Sequence, residues 1–172
     1  MNDILSEKDY QHQIMAYLRD NNGYLIRKAD KYDRLHAMDP ELLIQFLDNT
    51  QPDTMATLRK IYKGDTEETI ISVINAAVTA EKGSLIETLK SGIDLSSYHL
   101  DLMYTKPATS FNKALMRQYE NNIFSVMEEV RASDKERIDL VIFLNGLAII
   151  SFELKCRCKL LQYCHYVYRY SW

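Results

Sequence analysis

The chain has 172 residues, 47% of them hydrophobic, which suits one compact domain with a buried core. Its 21 basic and 24 acidic side chains leave a net charge of −3, which excludes a global field for nucleic acid or membrane, so any such partner must be met locally. The longest apolar run, Leu140 to Phe152, is interrupted at Asn145-Gly146 and is shorter than the roughly 20 residues needed to span a bilayer.

In chain order, MNDILSEKDY lacks the basic flank and apolar core of a signal peptide, so an intracellular, cytoplasmic protein is expected. Ser6 with Asp9 reads as a capping box, followed by Tyr10, Ile14, Tyr17 and Leu18 at helical spacing and a stop at Asn21-Asn22-Gly23. YLIRKA, 24 to 29, reads as a short strand. Asp39-Pro40-Glu41 places a cap, a proline at the first helical position and a first-turn acid before Leu42, Leu43, Phe46 and Leu47. Pro52 opens a third helix, a fourth runs from about Asp65 to Lys82, and Ser84 with Glu87 caps a fifth that stops at Gly92. A helical block over about 39–91 results.

From Ile93 the period becomes two, with a parity slip at Ser96-Ser97 that predicts a single bulged strand running to Tyr104. Ser110 reads as the cap of a short helix reaching Tyr119, and residues 123–132 as a strand with a charged outer end. Asn145-Gly146, between two runs rich in Val, Ile, Leu and Phe, predicts a hairpin, because both residues accept the positive φ of tight turns. Apolar residues on both arms predict a central pair in a sheet covered on both faces.

Charged groups mark the open end of that hairpin: Asp139 on one arm, Glu153 and Lys155 on the other. Residues i and i+2 share a strand face, so Glu153 and Lys155 project together. With a two-residue loop Asp139 would face Phe152, away from them; a three-residue loop, Asn145 to Leu147, or a bulge would set it across from Glu153. The cost of burying Asp139 without a partner favours the shifted register. The simplest alternative for the three residues is an exposed hairpin end with an ordinary ion pair.

RIDLVIFLNGLAIISFELK resembles the PD-(D/E)xK nuclease superfamily. More narrowly, it is similar to the N-terminal nuclease domain of type I restriction enzyme R (motor) subunits, with their R-x-D-hydrophobic-N-G-hydrophobic-E-L-K pattern. The stretches YDRLHAMDPELLIQFLDNTQP, GIDLSSYHLDLMYTKPAT and YENNIF agree, so the resemblance covers about residues 6 to 155. It implies an α/β fold with a restriction-endonuclease-like core, a mixed sheet flanked by helices and a helical insertion. It also implies a Mg²⁺-dependent endonuclease acting on double-stranded DNA, with Asp139, Glu153 and the Leu154 carbonyl as metal ligands. The metal would activate a water and Lys155 would position it and offset phosphate charge. Modification and specificity subunits would be the partners, one of them reading the DNA site. ATP would serve only the full-length subunit, since the chain contains no G-x-x-x-x-G-K-[ST] phosphate loop.

The chain departs from the family pattern in two places. Members often carry Glu where the first helix has Gln11; Glu7 or Asp9 could support the metal instead, although Asp9 reads first as a cap. After Lys155 the segment CRCKLLQYCHYVYRYSW, 156–172, looks foreign, as a frameshift or premature stop would leave it, so the endonuclease-like domain is expected over 1–155. Gln162 and Tyr166 have the family's Q-x-x-x-Y spacing and are accessory candidates. If the closing segment is missing, the chain would be a non-catalytic fragment keeping only DNA or subunit contacts; an unrelated α/β binding protein is the remaining alternative.

Cys156, Cys158 and Cys164 all fall in that tail, which is no disulfide framework, and the C-x-C gap fits zinc poorly. His12, His36 and His99 show no partner pattern, and Arg59, Lys60 and Lys63 are explained by a helix end.

Overall fold

The computed structural model describes residues 6–109 and 111–154. They divide into two compact units: one of residues 6–39, 124–143 and 147–154, the other of residues 40–123 and 144–146. Lys155, Gln162, Tyr166, the three cysteines and Ser110 lie outside the described residues.

The first unit opens with helix α1, Glu7–Asn22. The Ser6 hydroxyl accepts from the Asp9 N–H while the Asp9 carboxylate takes the Ser6 N–H, so two donors of the first turn are satisfied reciprocally. Gly23 ends the helix at φ 70°, a left-handed conformation that a side chain would strain. Strand β1 (Leu25–Arg27) pairs parallel with β4 (Phe124–Arg131), Ile26 opposite Val126. Strands β5 (Arg137–Leu144) and β6 (Leu147–Phe152) complete the order β1-β4-β5-β6. Connections as short as those between β4, β5 and β6 allow only antiparallel neighbours, so the sheet is mixed.

Met15, with Ile14 and Leu18, packs from α1 on Val126, Leu140, Ile142 and Leu154. Met127, Val130, Val141 and Phe143 form a second cluster with Tyr32, Ile138 and Ala148. Each fully buried side chain of this kind contributes about 1.5–3 kcal/mol. Met127 and Val130 are three residues apart, so strict alternation would send them to opposite faces. Glu129, at φ 56°, supplies the extra residue of a bulge that restores Val130 to the cluster of Met127.

The hairpin corrects two expectations. Strand β5 stops at Leu144 and β6 starts at Leu147, with Asn145 at φ 50° and Gly146 at φ 82°, so the turn has two residues, and the three-residue loop, one of the two expected routes to a shifted register beside a bulge, is not formed. Among the described residues β6 is an outer strand, half-buried along most of its length, so only β5 of the pair is central.

The second unit contains α2 (Pro40–Thr50), α3 (Pro52–Tyr62), α4 (Thr66–Thr79), α5 (Leu85–Ser91) and α6 (Lys113–Glu120). Helices α2 to α5 pack in succession, and Leu43, Phe46, Leu47, Met55, Leu58, Ile70 and Ile74 are buried. Ser84 caps α5 by accepting from the Glu87 N–H. Residues 93–100 form two antiparallel strands, β2 (Ile93–Leu95) and β3 (Tyr98–Leu100), not one bulged strand. The parity slip at Ser96-Ser97 is the turn itself, with Ser96 at φ 56°. Helix α6 is capped by Asn112, whose side chain accepts from the Ala114 and Leu115 N–H groups, so the expected start at Ser110 is too early. Asn145 is buried here: its side-chain oxygen accepts from the Ile123 N–H at 2.7 Å, and its amide donates to the Leu102 carbonyl at 2.8 Å and the Asn122 side chain at 3.0 Å.

Candidate active site

Asp139 is the third residue of β5, half-buried where the apolar part of the strand gives way to its charged end. Its Oδ2 accepts the backbone N–H of Leu154 at 2.5 Å. Leu154 lies two residues past the end of β6, so a carboxylate on one arm captures the other arm just beyond the hairpin. The captured N–H belongs to the peptide that joins Glu153 to Leu154. Leu154 is itself buried in the α1-side cluster, which anchors that peptide from below. The Glu153 side chain is exposed. Asp139 Oδ1 takes no hydrogen bond from the described residues.

Helix α1 reaches the same place. Gln11 is 3% exposed, and its side-chain amide donates to the Asp139 carbonyl at 2.9 Å and lies 3.4 Å from Glu128 Oε2. His12 Nε2 approaches the same Glu128 oxygen at 3.4 Å. Glu128 comes within reach of α1 because it precedes the β4 bulge and so keeps the face of Val126. An amide buried on an otherwise apolar helix face costs free energy unless it is hydrogen-bonded, and Gln11 meets that condition at the two acid-bearing strands.

Of the residues expected from sequence, Asp139 and Leu154 are brought together, and Glu153 is the exposed residue that precedes Leu154 on the second arm. Gln11 and Glu128 were not singled out as site residues. Gln11 stood only as a departure from a family pattern, and Glu128 as part of a charged strand end. The histidines do have partners: His12 has Glu128, His36 Nδ1 is 2.6 Å from Asp33 Oδ2, and His99 Nδ1 is 2.7 Å from Asp94 Oδ1.

The donors at the hairpin end are carboxylates and a backbone carbonyl, hard oxygens of the kind magnesium takes in ones or twos beside water and phosphate. No cluster of three or more His, Cys, Asp or Glu side chains able to hold an ion occurs among the described residues. A cation here would therefore draw the rest of its shell from solvent and substrate. No helix among the described residues is long and apolar enough to cross a membrane.

The family described as type I restriction enzyme R protein N terminus matches residues 4–162. The match passes Lys155 and includes Gln162. No curated protein and no solved structure matches the chain.

Proposed function

The chain belongs to the family of type I restriction enzyme R protein N termini, a nuclease-type domain of a DNA restriction complex, and from that premise we propose that it is a magnesium-dependent endonuclease domain with a PD-(D/E)xK core, cutting phosphodiester bonds of double-stranded DNA. The observation that carries the reading is the hydrogen bond from the Leu154 N–H to the Asp139 carboxylate, which ties the acid of one arm to the Glu153–Leu154 peptide of the other.

Asp139, Glu153 and the Leu154 carbonyl would hold Mg²⁺. When bound, the ion would make a water more acidic and offset the charge of the phosphate under attack. The chain's own groups do the remaining work. Leu154 N–H holds Asp139 Oδ2 and leaves Oδ1 without a hydrogen bond from the described residues, while Leu154 itself is anchored in the apolar cluster of Met15, Val126, Leu140 and Ile142. Lys155, through its ammonium, would orient the attacking water and neutralise a phosphate oxygen, with Gln162 and Tyr166 as accessory contacts. No phosphate loop occurs in these 172 residues, so ATP hydrolysis and translocation would fall to a motor of the R subunit, and site recognition to modification and specificity subunits.

The test is nicking of supercoiled plasmid by the purified chain with and without Mg²⁺. Activity is expected to require the ion and to fall at least about a hundredfold in Asp139→Ala and in Lys155→Ala. Activity indifferent to both substitutions would end the proposal. Inactivity of this chain with activity in a longer one would favour a fragment that keeps only DNA or subunit contacts.

A further inference from the structure

We propose that the excursion from Thr105 to Asn121, with helix α6 at its centre, is a docking surface for the phosphate backbone of duplex DNA, gripped by Lys106, Lys113 and Arg117. The inference rests on the nuclease reading above for the identity of its partner, and adds a second surface that is built without the hairpin acids and needs no metal.

Asn122 closes the base of the excursion. Its side-chain oxygen accepts from the Tyr104 N–H at 3.1 Å and from the Asn145 amide at 3.0 Å, while its own amide donates to the carbonyls of Tyr104 at 2.7 Å and Tyr119 at 2.9 Å. The two ends are therefore tied to each other and to the hairpin turn. On this base α6 stands out from the core: it has no buried residue, and only Met116 and Tyr119 are half-buried. Lys113 and Arg117, four residues apart, share a helix face and are exposed, as is Lys106. None of the three forms an ion pair among the described residues. Like charges at that helical spacing repel, a cost that an anion between them removes. Against these three cations the excursion carries one acid, Glu120, in a chain whose net charge is −3. Positive charge is thus concentrated locally, as capture of a polyanion by a chain without a global field requires. A protein partner would need an apolar core to its interface, and of large apolar side chains the excursion exposes just Phe111 and Leu115, 92% and 47% exposed. On a duplex, Phe111 offers a ring of the kind set against base steps.

The test is fluorescence anisotropy of a short labelled duplex with the full 172-residue chain, in Ca²⁺ and over a range of salt, beside the melting temperature of each variant. Lys113→Gln combined with Arg117→Gln places a good helix former at exposed positions, so the fold should hold. That pair should weaken binding at low salt by about tenfold and flatten the slope of log affinity against log salt by about 2. Adding Lys106→Gln should flatten it by about 0.9 more. Phe111→Ala should weaken binding and leave the slope unchanged, because the ring carries no charge. Lys60→Gln combined with Lys63→Gln removes the same charge near the end of α3 and should leave affinity close to that of the wild type. Unchanged duplex affinity in the α6 pair would overturn the proposal and leave this face to an acidic protein partner. An equal loss in the α3 pair would overturn it too, since diffuse charge would then carry the binding. The two readings fail separately: if the α6 pair loses duplex binding while nicking proves indifferent to Mg²⁺ and to Asp139→Ala, the surface stands and the cleaving centre falls. If nicking depends on both and the α6 pair binds as the wild type does, this inference alone falls.

Discussion

Asp33 shows how a loop sets the charge state of one carboxylate. Its Oδ1 accepts from the Leu35 N–H at 2.8 Å, while Oδ2 faces the His36 ring at 2.6 Å. Burial acts to raise the pKa of this carboxyl, but the contact with the His36 ring and the backbone donors outweigh it and hold the group below the usual carboxylate range. A folded-state pKa below the unfolded one stabilises the fold above the unfolded pKa, about 3.9, and that contribution is lost as pH falls through the lower folded value. Asp33→Asn keeps an oxygen for Leu35 and removes the charge. It should cost about 1 kcal/mol at neutral pH and make urea stability fall less steeply below about pH 4 than in the wild type. Equal acid slopes in the two proteins would show that Asp33 does not carry this dependence. None of this could be read from sequence, where the partners of His36 are invisible. Asn145 was partly legible: an Asn-Gly pair announces positive φ, but the four groups that its buried backbone and side chain meet lie at Leu102, Asn122 and Ile123.

At the scale of elements, the helices were legible because their ends are written in local chemistry. Ser6, Pro40, Pro52, Ser84 and the stops at Gly23 and Gly92 are side-chain or φ constraints that act within a few residues. The β2–β3 pair was misread because Ser96-Ser97 is not a residue pair that favours positive φ, so a turn looked like a bulge. The real bulge at Glu129 left no sign, since Glu carries no preference for that backbone. Ion pairs between elements are equally silent in sequence, and they differ in worth. Arg27 on β1 binds Asp39 with two hydrogen bonds, at 2.7 and 3.1 Å, and the Asp39 side chain is fully buried. Arg59 binds Asp48 with similar geometry, but with side chains 41% and 37% exposed. Asp39→Ala should therefore cost about 3–5 kcal/mol by removing the fully buried half of a two-bond ion pair, while Asp48→Ala should cost less than about 1 kcal/mol. Chemical unfolding of the two variants side by side tests the contrast. Comparable losses would mean that burial does not decide the value of these pairs.

For the whole molecule, sequence reached the part of the candidate site that is local, the two arms of one hairpin, and missed the part that the fold assembles. Gln11 meets Glu128 and Asp139 across more than a hundred residues of chain, and that meeting depends on the β4 bulge and on how α1 lies over the sheet. The charge balance, by contrast, is a property of the whole sequence and makes its own prediction. The net charge of −3 leaves no excess of cations over acids to replace counterions on DNA, and Arg27, Arg34, Arg59 and Arg137 already face carboxylates. Each phosphate neutralised contributes about 0.9 to the slope of log affinity against log salt, so a footprint of about four phosphates gives a slope no steeper than about −4. Titrating the chain with a fluorescent duplex, with Ca²⁺ in place of Mg²⁺, should show that shallow slope. Affinity near physiological salt should fall in the non-specific range of about 10⁻⁴ to 10⁻⁶ M. A slope near −10 would reveal a large basic surface assembled by the fold and would overturn this expectation.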